Sequence, residues 1–145
     1  MKNGFMALMA TMGALMVMPV KADTMALTTC FVDSLNGKER KQLATWIYFA
    51  VAAHPEMKPF SNISPQQREA VDKKVGALVT RLLVEDCEQE FIVAQKRDPL
   101  AVEAAFEMVG KVAMQELMNS EDVTQSITNY VKYTDQKAIS KLFNQ

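Results

Sequence analysis

The side chains of this sequence with most chemistry to offer are two cysteines, one histidine and a run of carboxylates. Cys30 and Cys87 can bond to one another, or as free thiols can hold a metal or carry electrons. His54 sits ahead of Pro55 and close to Glu56 and Met57, where an imidazole serves as a metal ligand, as a pH-responsive group or as a helix C-cap. Glu85, Asp86, Glu88 and Glu90 surround Cys87, and clustered carboxylates do acid and base work or bind calcium.

Spacing argues for the structural reading of each. A single imidazole without spaced partners makes a poor metal site, and catalysis needs a base beside a positioned nucleophile that the sequence does not display. No EF-hand pattern runs through the acidic group, and on a helix Glu85 and Glu88 share one side while Leu83 and Phe91 share another, as on a solvated face. The same acidity raises the pKa of a free thiol at Cys87, which weakens a redox role. No nucleophile elbow, phosphate loop, metal motif or triad is recognisable. The sequence therefore predicts a protein that is not an enzyme, with no catalytic, metal or cofactor residues.

Trp46, Tyr48 and Phe49 form the main aromatic concentration. In a small bundle the core has first claim on such residues. Surplus aromatic surface on an apolar helix would instead line a lipid or peptide groove, or an interface. Together with His54 and Phe60, on a loop stiffened by Pro55 and Pro59, these residues make the candidate binding surface.

The compartment decides the fate of the cysteines. Met1-Lys2-Asn3 carries positive charge, Phe5 to Met18 is apolar, and Val20-Lys21-Ala22 places small residues near a cleavage point, the three zones of a signal peptide. The apolar zone is about 14 residues, short of the roughly 20 that span a bilayer as a helix, and Pro19 ends it. Residues 1–22 are thus read as a cleavable leader and residues 23–145 as one helical domain with no membrane span after processing. Leu27-Thr28-Thr29-Cys30 only partly imitates a lipidation box, lying too far past the apolar zone and holding Thr where a small residue is expected. Six of the 11 methionines leave with the leader, so methionine richness needs no functional explanation. Loss of Lys2 and Lys21 takes the basic residues from 16 to 14 against 17 acidic ones, a net −3 that argues against nucleic acid as partner. An exported chain meets an oxidising compartment, and its even pair, Cys30 and Cys87, is expected to form a disulfide.

The elements follow from punctuation and period. Thr24 to Ser34 places Leu27, Cys30, Phe31 and Ser34 at helical spacing, with the cysteine inward. A second helix starts near Asn36 with Glu39 as capping-box partner and runs to His54; its apolar circumference predicts the buried centre of the bundle. Ser64-Pro65-Gln66-Gln67 starts a third, carrying Val71, Val75, Leu78 and Leu82, which continues to Arg97 or breaks at Asp86. Asp98-Pro99 restarts the chain into a helix with Phe106, Val109, Val112, Ala113 and Leu117 inward, where Gly110 marks a close helix contact. Ser120 and Thr134 begin the last two, with Val123, Ile127, Tyr130 and Val131, then Ala138, Ile139, Leu142 and Phe143, as apolar faces. The fold class is all-α, a single-domain bundle of five to six helices closed by one disulfide.

The spacing of Cys30, Trp46-Ile47, Ala52-Ala53-His54-Pro55, Leu82-Leu83, Cys87, Ala113-Met114-Gln115-Glu116-Leu117-Met118 and Tyr130-Val131-Lys132-Tyr133 resembles a group of small exported helical proteins of Gram-negative bacteria with no established function. The resemblance spans nearly the whole mature chain, implies the periplasm and paired cysteines, and adds no catalytic residue. The function expected from the sequence is non-enzymatic binding in the periplasm, of another envelope protein or a lipid-like ligand. The alternative is a small envelope enzyme or a metal or redox carrier using His54. The oligomeric state is not set by the sequence.

Overall fold

The structure, a computed structural model, describes residues 22–143. Apart from Ala22, the expected leader lies outside the described residues. Seven α-helices follow one another, and among the described residues there is no strand.

Helix α1 (Ala22–Ser34) buries Leu27 and Phe31, and Leu35 continues the same four-residue step just past its end. Helix α2 (Gly37–Val51) begins as the sequence predicts. The Asn36 side chain accepts the Glu39 amide and the Glu39 carboxylate accepts the Asn36 amide, both at 3.0 Å. It ends at Val51, three residues before His54. Helix α3 (Pro65–Arg81) opens with the reciprocal Ser64 and Gln67 cap and proline in its first turn. Then come α4 (Glu88–Arg97), α5 (Ala101–Met118), α6 (Glu121–Thr128) and α7 (Gln136–Lys141), the last two joined by a 3₁₀ turn, Asn129–Tyr133.

Between α3 and α4 the chain makes a π turn, Leu82–Asp86, closed by the Cys87 amide bonding the Leu82 carbonyl at 3.0 Å. One extra residue in that turn re-phases the helix. Leu78, Leu82 and Cys87 are all buried, at steps of four and then five, whereas an unbroken α-helix would bring Asp86 to the Cys87 position. The break left open by the sequence is therefore real and adds one helix to the expected number. Cys87 stands at the N-cap of α4, and the Asp86 carboxylate beside it accepts from Arg81.

The centre of the bundle is α5 and not α2. Ala101, Ala105, Val109 and Ala113 recur every four residues along α5 and are buried, while of α2 only Leu43 and Ala44 are. Small side chains let helix axes approach closely, so α5 collects α1, α2 and α4 around it. The wide apolar circumference of α2 is spent on surface: Trp46, Tyr48 and Val51 are exposed. Phe31 packs against Phe106 with ring centroids 4.8 Å apart, joining α1 to α5.

The Cys30–Cys87 disulfide, with Cα atoms 5.9 Å apart and its partners separated by 57 positions in sequence, fastens α1 to the start of α4. Cys87 is fully buried and Cys30 half-buried. No described helix is long and apolar enough to cross a membrane.

The C-terminal elements depart from the expected packing. None of α6, the 3₁₀ turn or α7 contains a buried residue. Ile127, Tyr130, Val131, Ile139, Leu142 and Phe143, expected to face inward, are exposed. The body already closes its core around α5, and among the described residues only α5 receives α6.

Candidate functional site

Trp46 comes closest to the surface expected from the sequence. It stands on α2 at 39% exposure, and its indole Nε1–H donates to Asp72 Oδ1 of α3 at 3.0 Å. That bond fixes the ring as one edge of an open groove of about 260 Å3. Leu43 and Ile47 complete the α2 wall, Val75 and Val79 form the α3 wall, and Phe106, Val109 and Gly110 line the side of α5. The lining side chains are apolar throughout, and Trp46 alone brings a polar group, already used by Asp72.

Gly110 matters to this geometry. A Cβ built on it would meet only Ile47 Cδ1, at 4.0 Å, which is ordinary van der Waals distance. Gly110 therefore opens space in the groove and does not mark the tight helix contact that its mid-helix position suggested.

The remaining members of the expected surface lie elsewhere. Tyr48 and Phe49 touch edge to face, with centroids 6.1 Å apart. Phe49 is half-buried under Arg68, whose guanidinium carbon lies 5.9 Å from the ring centroid and whose Nη1 donates to the Phe49 carbonyl at 2.7 Å. Arg68 also borders a larger depression of about 440 Å3 beside Lys58, Ser61 and Asn62, a polar hollow between a loop and a helix end. Phe60 is 84% exposed, in a short 3₁₀ turn, Lys58–Phe60. The structure thus splits Trp46, Tyr48, Phe49, His54 and Phe60, and only Trp46 reaches the groove.

His54 Nδ1 accepts the backbone N–H of Glu56 at 3.2 Å, so this ring orders the turn after α2. Among the described residues no group of three or more His, Cys, Asp or Glu side chains is gathered so that it could hold a metal ion. Both cysteines are committed to the disulfide.

Comparison with protein-family models, with curated proteins and with solved structures finds no match to this chain.

A second organised cluster lies beside the disulfide, and its chemistry is structural. Arg81, at the end of α3, reaches Glu39 Oε1 at 2.5 Å, Asp86 Oδ2 at 2.8 Å and the Ser34 carbonyl at 3.2 Å. Three segments meet on one guanidinium: the end of α1, the capping box of α2 and the π turn. The hydrogen bond from Arg81 holds the Glu39 carboxyl below its ordinary range, against the opposing pull of burial. Glu39 and Asp86 in turn hold the Arg81 guanidinium firmly protonated. Ser34 Oγ also lies 3.7 Å from Cys87 Sγ, where only the hydroxyl has a proton to donate. Of the four acidic residues around Cys87, Asp86 is thereby accounted for as an ion-pair partner.

Sequence reasoning missed the α3 and α5 walls of the groove. Val75, Val79 and Phe106 read as core positions of amphipathic helices, and nothing in a single periodicity distinguishes a residue that fills a core from one that lines its open edge.

Proposed function

We propose that this protein is a non-enzymatic, exported binding protein of the bacterial envelope that holds a lipid-like apolar chain in the groove between α2, α3 and α5. The observation that carries the reading is the groove itself, an apolar recess open to solvent beside an indole fixed by Asp72. Binding sites of this kind are mainly apolar, largely pre-formed and placed between helices of bundles.

Export is supported by the leader-like residues 1–22 and by the disulfide, which forms in oxidising compartments. The periplasm is the compartment implied by the resemblance described above. An aliphatic chain suits the site better than a polar ligand, because the lining offers no unpaired polar side chain to a charged or hydrogen-bonding group. Each methylene buried there favours binding by about 0.8 kcal/mol, set against the freedom the ligand loses on association, so affinity should rise with chain length until the groove is filled.

The test is a titration of the oxidised mature chain with laurate, read by Trp46 fluorescence and by displacement of 1-N-phenylnaphthylamine. Trp46 is the only tryptophan of the chain, so the signal reports the groove directly. A saturable blue shift, abolished by Gly110→Leu, is expected. Absence of a saturable response up to the solubility limit of laurate would overturn the proposal.

A further inference from the structure

The polar hollow of about 440 Å3 beyond the end of α2 is lined by four side chains that donate hydrogen bonds and by no carboxylate. Lys58, Ser61 and Asn62 come from the connection between α2 and α3, and Arg68 reaches in from the start of α3. Among the described residues neither Lys58 nor Arg68 has an acidic partner, and the Ser61 hydroxyl and the Asn62 carboxamide make no hydrogen bond. The acidic residues next to them in sequence do not supply one: Glu56 does not line the hollow, and Glu69 is engaged by Lys73 at 2.6 Å. Two unpaired cations therefore face one recess in a chain of net negative charge.

Arg68 has a structural duty, since its Nη1 donates to the Phe49 carbonyl at 2.7 Å while the guanidinium lies over the Phe49 ring. That bond takes one of five guanidinium N–H groups and fixes the position of the rest. Lys58 has no such duty. The helix end of α3 is not the source of the site's character, because Pro65 has no N–H and the Gln67 amide is taken by Ser64. The connection is already ordered: the Met57 and Lys58 amides both bond the His54 carbonyl at 2.9 Å, and the Ser61 amide bonds the Lys58 carbonyl at 3.3 Å. A ligand thus meets donors whose backbone needs no further ordering.

We propose that this hollow binds a phosphate group, carried by a small phosphorylated molecule or by a lipid headgroup, with Arg68 and Lys58 supplying charge and Ser61 and Asn62 neutral donors. Phosphate oxygens point in several directions and so match donors arriving from two segments, whereas a carboxylate presents its two oxygens in one plane. The hollow lies one turn of α3 before Asp72 and shares no lining residue with the apolar groove, so either reading can fail alone.

The test has two arms, both on the oxidised mature chain at neutral pH with ionic strength matched by sodium chloride. Inorganic phosphate is titrated and followed by backbone amide NMR shifts; phosphatidylcholine vesicles containing phosphatidic acid are followed by co-sedimentation. Saturable shifts centred on Lys58 to Arg68, or saturable vesicle binding, are expected, weakened about tenfold in Lys58→Gln and also reduced in Ser61→Ala. Neither side chain has a protein partner to lose, so both variants keep the fold, which circular dichroism checks. A response to phosphate alone identifies a free phosphorylated ligand, and a response only to vesicles identifies a headgroup. Silence toward both probes overturns the site. So do shifts that chloride reproduces, shifts centred elsewhere, or affinity unchanged in both variants.

Discussion

Gly110 separates stability from binding in a single position. A glycine inside a helix costs about 0.8–1 kcal/mol relative to alanine, because the unfolded chain has more freedom to lose. At Gly110 the added methyl would have Ile47 Cδ1 at 4.0 Å as its neighbour and no clash to offset the gain. Gly110→Ala should therefore stabilise the protein by about 1 kcal/mol, which for a domain of this size raises Tm by roughly 3–5 °C. Gly110→Leu keeps nearly the same helix propensity and places three further carbons in the groove, so its stability should equal or exceed that of the alanine variant. Its binding of 1-N-phenylnaphthylamine and laurate should be lost. Differential scanning calorimetry and fluorescence titration of the three proteins, all oxidised, give both readouts. A fall in Tm for Gly110→Ala would mean that Gly110 is a tight helix contact after all, and the groove geometry would be wrong. Undiminished binding by Gly110→Leu would place the ligand elsewhere.

The other perturbations address the framework and the limits of the site. Replacing both Cys30 and Cys87 by Ala opens a loop of 57 residues and should cost about 4 kcal/mol in the chain-entropy account, read as a drop in the urea midpoint; α1 should stay helical, held by buried Leu27 and Phe31. Glu39, with its pKa lowered by Arg81, contributes stability that is complete above its ordinary value of 4.5 and is lost as pH falls through the lower folded value; urea melts from pH 6 to pH 3 should show a steeper loss for the natural protein than for Glu39→Gln. Asp72→Ala frees the Trp46 indole, and should cost about 1 kcal/mol and shift its emission. Phe60→Ala, at an exposed position away from the groove, should change stability by less than about 0.5 kcal/mol and leave probe binding intact.

The start signals of the helices were the most legible part of the fold. Asn36 with Glu39 and Ser64 with Gln67 are reciprocal caps whose partners lie three residues apart, so the sequence holds the whole interaction. Burial was harder to read, because it depends on what lies across from a helix. The period of α2 could say that Leu43, Trp46, Ile47 and Val51 share a side, but not that α5 would cover only part of it. Small residues were the overlooked signal: Ala101, Ala105 and Ala113, interleaved with Val109, identify the helix that others approach most closely. The candidate site was legible at Trp46 only, since Tyr48, Phe49, His54 and Phe60 are close in sequence without sharing the groove.

The step of five from Leu82 to Cys87 ties the fold to the site. Had the chain continued as an α-helix, the residue four beyond Leu82 would be Asp86, and burial there would strand a carboxylate among apolar side chains. The π turn instead turns Cys87 inward to meet Cys30 and leaves Asp86 at the surface for Arg81. Arg81 then draws together the ends of α1 and α3 and the cap of α2 through Ser34 and Glu39. With α2 and α3 joined at that end by Arg81 and Glu39, and at the rim of the groove by the Trp46–Asp72 hydrogen bond, the gap between them over α5 is spanned by polar links at its margins. The rest of its lining can then remain apolar, because the polar contacts that set the spacing of the two helices lie at the edge of the groove and not on its floor.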